Sequence, residues 1–136
     1  MSWLIDTNVL SELRKGERAD PRARAWYADT PAEELYTSVL VLGEVRRGIE
    51  SIRRRDAISA TALEHWLGRI VDGFADRILP IDAAVADRWG ALNVPDPVPT
   101  VDGLLAATAL VHDLVLVTRN LRGVSGTGVR VLDPMA

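Results

Sequence analysis

Three carboxylates that lie far apart along the chain are the residues best suited to chemistry. Asp6 directly follows an apolar run, Glu44 lies within a helical pattern, and Asp102 begins an alanine-rich segment. If these side chains converge, they repel one another and raise each other's pKa values unless a cation neutralises them. Carboxylates in a chain without cysteine favour Mg²⁺ or Mn²⁺ over zinc. Such an ion activates water and binds a phosphoryl oxygen, which suggests metal-assisted phosphodiester hydrolysis.

Each of the three acids also has a purely structural interpretation. Asp6 could cap the helix that follows it. Glu44 could be a solvated residue paired with Arg46 or Arg47. Asp102 could interact only with the dipole at the start of its own helix. The sequence leaves these alternatives open.

The helical pattern around Glu44 favours the functional interpretation. Leu40 and Val41 lie one turn before Glu44, and Gly48 lies one turn after it. This spacing predicts an inward-facing carboxylate, and the glycine predicts a close approach to another element. A glutamate is rarely buried without a partner, so an inward-facing Glu44 would need a cation or a donor.

The elements that must position these acids are short strands alternating with helices. Apolar and β-branched runs predict strands at Trp3–Ile5, Leu35–Ser38, 78–81, 114–118 and 129–132, and the continuous apolar run at 114–118 predicts burial on both faces. Periodic apolar positions and capping residues predict helices at 8–13, 22–28 after the cap Asp20, 39–54, a segment ending at Phe74, one after Asp82, and 101–112. The apolar stripe of the segment ending at Phe74 comprises Leu63, Trp66, Leu67, Ile70, Val71 and Phe74, and the alanines of 101–112 predict a nearly buried helix. This alternation predicts an α/β fold with a parallel sheet of about five strands flanked by helices in three layers. We expect one domain over residues 1–136.

Polar residues that follow the strands indicate where a ligand would bind, because open α/β sheets bind ligands beyond the carboxyl ends of their strands. These residues are Asp6, Thr7, Asn8, Asp82, Thr118, Arg119, Asn120 and Asp133. Asp82 is predicted to be a helix cap. The glycines at 123, 126 and 128 precede a strand and not a helix, so they predict a turn and not a phosphate-binding loop.

The charged residues are unevenly distributed. A net charge of −3 argues against a protein that coats nucleic acid over its whole surface. Lys15 is the only lysine, and the arginines cluster, which suits phosphate oxygens but is also typical of a GC-rich genome. Candidate contacts to an RNA backbone are Arg46, Arg53, Arg54 and Arg119. No signal peptide or membrane span is expected, so we predict a cytoplasmic protein.

Four segments in order resemble a known family. They are residues 5–12 (IDTNVLSE), 42–49 (LGEVRRGI), 102–109 (DGLLAATA) and 116–120 (LVTRN), and GTGV at 126–129 extends the likeness to the last strand. Together they resemble the PIN-domain toxins of VapC type, including the FitB-like group. Any one segment is weak, but four with suitable spacing are strong.

The resemblance implies a ribonuclease of a type II toxin–antitoxin module that cuts RNA with Mg²⁺ or Mn²⁺. It implies that Asp6, Glu44 and Asp102 are the metal-site carboxylates. Supporting pocket residues would be Thr7, Asn8, Thr118 and Asn120. It also implies a homodimer, a cognate antitoxin whose C-terminal segment blocks the cleft, and promoter DNA bound only through the toxin–antitoxin complex.

One position departs from the family pattern. The family usually has a fourth acid three residues after the asparagine that corresponds to Asn120, and this chain has Gly123 there. The departure raises an alternative, a catalytically weakened protein that acts mainly as an antitoxin-binding and promoter-regulating partner. A phospho-receiver domain is a further alternative, but it requires a lysine after a late strand, and Lys15 lies elsewhere.

Overall fold

The computed structural model describes residues 1–136 and contains a five-stranded parallel sheet flanked by six α-helices. The strands are β1 Trp3–Ile5, β2 Leu35–Ser38, β3 Ile78–Leu79, β4 Val115–Val117 and β5 Val131–Leu132. The helices are α1 Thr7–Leu13, α2 Pro21–Asp29, α3 Val39–Arg53, α4 Ala57–Phe74, α5 Ala83–Leu92 and α6 Thr100–Val111. Short 3-10 turns cover Gly16–Arg18, Ala32–Glu34, Ala75–Arg77 and Arg122–Val124. The predicted α/β fold class is confirmed.

The strand order places a crevice between β1 and β4. The order across the sheet is β3-β2-β1-β4-β5, and every pairing is parallel. The chain moves outward from β1 to β3 and then returns to the opposite side of β1. Since the order reverses between β1 and β4, a ligand crevice forms beyond the carboxyl ends of these two strands. Ile5 is in register with Val117, so Asp6 and Thr118 enter this crevice side by side.

The central strands are buried on both faces. Leu4, Ile5, Leu116 and Val117 are at most 1% exposed. A strand covered by helices on both faces is expected to be a continuous apolar run. The prediction of a doubly buried strand within residues 114–118 is therefore confirmed.

Helices α3 and α4 pack against each other through apolar stripes. On α3, Val41, Val45 and Ile49 recur at intervals of four residues and are buried. On α4 the predicted stripe is buried at Leu67, Ile70 and Phe74, and Ala60 extends it. Val71, which the pattern assigned to the same stripe, is 40% exposed because it lies at the stripe's edge.

Residues 103–109 of helix α6 are largely buried, as its alanine-rich composition predicted. Its buried residues are Gly103, Leu105, Ala106, Ala107, Thr108 and Ala109. A Cβ atom at Gly103 would lie 2.5 Å from Val98 Cγ2 and 3.2 Å from Trp89 Cδ1. Glycine therefore lets α5 and the preceding loop pack tightly against the first turn of α6. This packing anchors the turn that carries Asp102.

Element boundaries differ most at the edges of the sheet. The predicted strand at 78–81 ends at Leu79, because Pro80 lacks the N–H that a strand ladder needs. Asp82 accepts a 3.0 Å hydrogen bond from Val85 N, which confirms its predicted role as a cap. The strand predicted at 129–132 begins at Val131, after a turn in which Gly128 has φ of 80°. None of the helices has both the length and the apolar composition needed to cross a membrane.

Candidate functional site

Asp6 lies at the junction of β1 and α1 and is 6% exposed. Its Oδ1 accepts a 2.7 Å hydrogen bond from Thr7 N, and its Oδ2 accepts a 2.9 Å bond from Thr118 Oγ1. Burial raises the pKa of Asp6; the two hydrogen bonds lower it in part, and the charge of Asp102 raises it further. Asp6 therefore both caps α1 and places a desolvated carboxylate in the crevice.

A polar network joins the ends of β1 and β4 beneath this carboxylate. Asn8 Nδ2 donates to Thr118 Oγ1 at 3.2 Å and to Asp6 Oδ2 at 3.4 Å. Asn8 Oδ1 accepts from Arg119 N at 3.2 Å, and Thr118 Oγ1 accepts from Asn120 N at 3.0 Å. The single hydroxyl hydrogen of Thr118 is thereby directed to Asp6. The network holds Asp6 in one orientation.

Glu44 reaches the same crevice from α3. Its Oε1 accepts a 2.7 Å hydrogen bond from Thr7 Oγ1. Partial burial is the largest cause that raises the pKa of Glu44, and the charges of Asp6 and Asp102 add to it. The Thr7 hydrogen bond and the charge of Arg47 lower this pKa in part. Glu44 is thus electrostatically coupled to both other acids.

Two expectations about the surroundings of Glu44 are wrong. As a residue Glu44 is exposed and does not face inward with Val41, because the crevice it borders is open to solvent. A Cβ atom at Gly48 would meet nothing within 4 Å, so no element packs closely there. Glu44 also makes no ion pair with Arg46, which instead binds Glu50 and Glu64.

Asp102 is half-buried in the first turn of α6. Its Oδ2 accepts a 3.1 Å hydrogen bond from Asn120 Nδ2. Asn120 Oδ1 in turn accepts a 3.1 Å hydrogen bond from Gly123 N. The segment that follows β4 therefore orients Asp102 through Asn120.

The oxygen-rich donor set tests whether a metal ion fits. Glu44 Oε2 and Asp102 Oδ1 accept no hydrogen bond from the protein, so they have free lone pairs. No three acidic, histidine or cysteine side chains are close enough to bind one ion together. Mg²⁺ usually keeps several waters and binds proteins through one or two carboxylates. The residues therefore fit a hydrated Mg²⁺ or Mn²⁺ and not a closed cage.

The four arginines proposed for RNA contact have different surroundings. Arg46 pairs with Glu50 at 2.9 Å and Glu64 at 2.8 Å, and Arg53 pairs with the same two acids. To bind a phosphate, Arg46 and Arg53 would have to exchange these partners. Arg54 and Arg119 are exposed and form no salt bridge in the structure. Arg119 borders the crevice through its backbone bond to Asn8.

An apolar groove of about 390 Å³ lies away from the three acids, between α1, α2 and α4. It is lined by Leu10, Leu13, Arg14, Tyr27, Thr30, Ala32, Leu35, Trp66, Arg69, Ile70, Gly73, Phe74 and Arg77. The lining contains no carboxylate. Acid-based chemistry therefore belongs to the open crevice and not to this groove.

Sequence reasoning did not detect two contacts in the crevice. It did not predict that Thr7 lies between Asp6 and Glu44, because residue spacing does not show which helix packs next to the end of a given strand. It identified Gly123 as a missing ligand, but it did not detect that Asp102 and Asn120 lie against this glycine. The spacing of Asn120 and Gly123, three residues apart, was the only available signal.

Comparison with known proteins identifies relatives that match almost the whole chain. A family model described as the PIN domain matches residues 3–123. The chain is 30% identical over 138 residues to "VapC ribonuclease Y4jK" of Sinorhizobium fredii, with 96% of each protein covered. It is equally identical, with the same coverage, to "Toxin FitB" of Neisseria gonorrhoeae.

Solved structures agree with this match. The crystal structure of FitAcB from Neisseria gonorrhoeae superposes with a TM-score of 0.87 at 30% identity, covering 97% of both chains. The structure of FitAB bound to an IR36 DNA fragment superposes with a TM-score of 0.83 at 28% identity, covering 98% of this chain and 96% of the other. The likeness therefore extends from sequence motifs to the complete fold.

Proposed function

Because this chain belongs to the PIN domain family, in the group of VapC ribonucleases and FitB toxins, we propose that it is a Mg²⁺- or Mn²⁺-dependent endoribonuclease. Its catalytic and metal-binding residues are Asp6, Glu44 and Asp102. The observation that carries the proposal is the convergence of these acids at the strand-order reversal: Thr7 donates to both Asp6 and Glu44, and the charge of Asp102 acts on both of them. Because no three of these side chains lie close enough to bind one ion directly, they would hold a hydrated cation partly through its waters.

The chain's own residues preorganise this site. When bound, the divalent ion supplies a Lewis acid for a phosphoryl oxygen and an activated water. Thr7 holds two of the acids at once, through its N–H to Asp6 and its hydroxyl to Glu44. Thr118 and Asn8 fix Asp6, and Asn120 fixes Asp102. Oxygens oriented before the substrate arrives need no reorganisation during the reaction.

Cleavage of structured RNA with and without Mn²⁺ tests the enzyme. Asp6→Asn, which keeps the shape of the side chain, should abolish Mn²⁺-dependent cleavage. Asp113→Asn is the matched control, because Asp113 precedes β4 at the opposite end of the strand and its side chain is 94% exposed. Cleavage that persists in Asp6→Asn would contradict the proposal.

The alternative is a catalytically weakened protein that serves as an antitoxin-binding and promoter-regulating partner. Gly123 in place of the family's usual acid favours it. The same assay separates the two, since this alternative requires that wild type cut RNA no faster than Asp6→Asn.

The partners follow from the family. We propose a homodimer with a VapB- or FitA-like antitoxin, which binds promoter DNA only as a complex. The FitAB structure, whose complex is bound to a DNA fragment, supports this assembly. Co-purification with the product of a short neighbouring reading frame, followed by DNA binding with and without that product, tests it. A cytoplasmic location, with residues 1–136 as one domain, belongs to the same proposal.

The candidates for holding the RNA backbone are four arginines. Arg54 and Arg119 are exposed and form no salt bridge. Arg46 and Arg53 would contribute only by leaving Glu50 and Glu64. We therefore place Arg119 first among the four, because it also borders the carboxylates.

A further inference from the structure

Gly123 lies directly against the carboxylate of Asp102. A Cβ atom built on Gly123 would overlap Asp102 Oδ2, and it would lie 2.6 Å from Asn120 Nδ2 and 2.8 Å from Asp102 Cγ. All three distances are shorter than a normal non-bonded contact of about 3.5 Å. These atoms are the ends of two side chains, so any side chain at position 123 would require Asp102 and Asn120 to move from their present positions.

The backbone of Gly123 also fixes the orientation of Asn120. Gly123 N–H can only donate, so the oxygen of the Asn120 amide must face it, at 3.1 Å. The amide nitrogen of Asn120 then faces Asp102 Oδ2, at 3.1 Å. This chain of two hydrogen bonds leaves Asp102 Oδ1 free of protein donors.

We propose that Gly123 is a positioning residue for Asp102. Its N–H orients Asn120, and its lack of a side chain leaves room for the Asp102 carboxylate, so that this carboxylate stays in the metal-binding orientation. The inference rests on the proposed metal site. It means that Gly123 is not simply a lost fourth ligand, because an acid at position 123 would force the carboxylate of Asp102 out of its present position. Restoring an acid there would therefore move a ligand that the site already has.

Mn²⁺ binding by the purified chain, measured by electron paramagnetic resonance, tests the proposal without relying on activity. Gly123→Ala should weaken Mn²⁺ binding by about 10- to 100-fold, the usual cost of disturbing a residue that orients a ligand. Gly123→Asp should also weaken it, although it adds a carboxylate. Gly68→Ala on α4, where a Cβ meets nothing within 4 Å, should bind Mn²⁺ like wild type.

A rescue experiment distinguishes displacement from general damage. Asp102→Ala should lose most Mn²⁺ affinity, and the double variant Asp102→Ala with Gly123→Asp should recover part of it, because the new carboxylate enters the emptied space. Tighter binding by Gly123→Asp alone, or wild-type affinity in Gly123→Ala, would overturn the proposal. So would a double variant that binds no better than Asp102→Ala.

Crystal structures of the metal-free variants separate this inference from the proposed function. In Gly123→Ala, Asp102 and Asn120 should both leave their present positions; a methyl group accommodated with both in place would refute the steric argument. In Asn120→Ala, which adds no bulk, Asp102 should turn away for lack of its donor, and an unmoved Asp102 would refute the hydrogen-bond argument. Wild type that binds no Mn²⁺ would instead overturn the proposed function, whatever these structures show.

Discussion

The hydroxyl of Thr7 donates a 2.7 Å hydrogen bond to Glu44 Oε1, a residue 37 positions further along the chain. The backbone N–H of the same threonine donates to Asp6. Thr7 thus joins the end of β1 to α3 at the point where two of the three acids meet. The sequence predicted only that Thr7 supports the pocket, whereas the structure shows that Thr7 directly links two of the proposed metal ligands.

Replacement of Thr7 by valine tests this link. Valine keeps the β-branched shape and the N–H to Asp6, but it removes the donor to Glu44. We expect kcat/KM for RNA cleavage to fall by about 10- to 100-fold, since partners that orient metal ligands usually contribute this much. Thr61→Val is the matched control, because its hydroxyl bonds only to the carbonyl of Ala57 on the exposed face of α4. Equal activity in the two variants would show that Glu44 needs no such support.

The raised pKa of Asp6 predicts how stability depends on pH without metal. Since burial raises the pKa in the folded state above its ordinary value of 3.8, the folded chain binds this proton more tightly than the unfolded chain does. The contribution of Asp6 to stability is therefore most favourable below that value and is lost as the pH rises through the folded pKa. Glu44, whose pKa is raised above its ordinary value of 4.5, acts in the same direction.

Urea unfolding in EDTA, from pH 4.5 to 8, measures this effect. Acids with lowered pKa values, such as Glu12 and Asp56, oppose it, so the comparison must be between wild type and Asp6→Asn. The free energy of unfolding of wild type, relative to this variant, should fall as the pH rises. A difference that stays constant, or that grows with pH, would show that Asp6 is not desolvated. Asp113→Asn corrects for the loss of an exposed charge.

A bound metal ion should offset the destabilisation that the neighbouring charged acids cause in the folded chain. At pH 7, Mn²⁺ at 100 times its dissociation constant should stabilise the folded chain by about 2.7 kcal/mol, if it binds only that state. Calorimetry should detect this as a higher melting temperature in wild type and Asp113→Asn. Asp6→Asn and Glu44→Gln should show little or no increase. Equal shifts in all four proteins would indicate binding elsewhere.

Arg119→Ala tests whether this arginine, at the border of the crevice, binds the phosphate backbone of RNA. If the guanidinium group binds one phosphate, RNA binding should weaken for all sequences, and the slope of log K against log salt should become shallower by about 1. Arg130→Ala is the control, because Arg130 pairs with Asp113 at the opposite end of the strands. An unchanged slope in Arg119→Ala would remove this residue from the RNA surface.

Salt bridges on α3 and α4 predict a different outcome for Arg46→Ala. This side chain is held by Glu50 and Glu64, so its loss should change the salt dependence of RNA binding less than the loss of Arg119 does. The stability cost should be small, because solvent screens ion pairs between exposed side chains. A larger change in the salt slope for Arg46→Ala would mean that RNA displaces the two glutamates.

Local signals in the sequence were enough to predict the fold class. The apolar run before Asp6, the caps at Asp20 and Asp82, and the stripe on α4 depend on neighbours within one or two turns, so they can be read from spacing alone. The buried character of α6 followed from its alanines in the same way. The predicted ends of the edge strands β3 and β5 were less accurate, because the length of an edge strand depends on how many of its residues pair with the neighbouring strand.

The residue types at the candidate site can be read from the chain: the acids Asp6, Glu44 and Asp102, no cysteine, and Gly123 where the family pattern predicts an acid. How these residues meet depends on tertiary packing. Strand order brings Asp6 beside Thr118, and helix packing brings Glu44 to Thr7 across an open crevice. The fold also lays Asp102 against Gly123. The physical reason is that spacing encodes contacts within an element, whereas these contacts span up to 112 residues and depend on how whole elements pack.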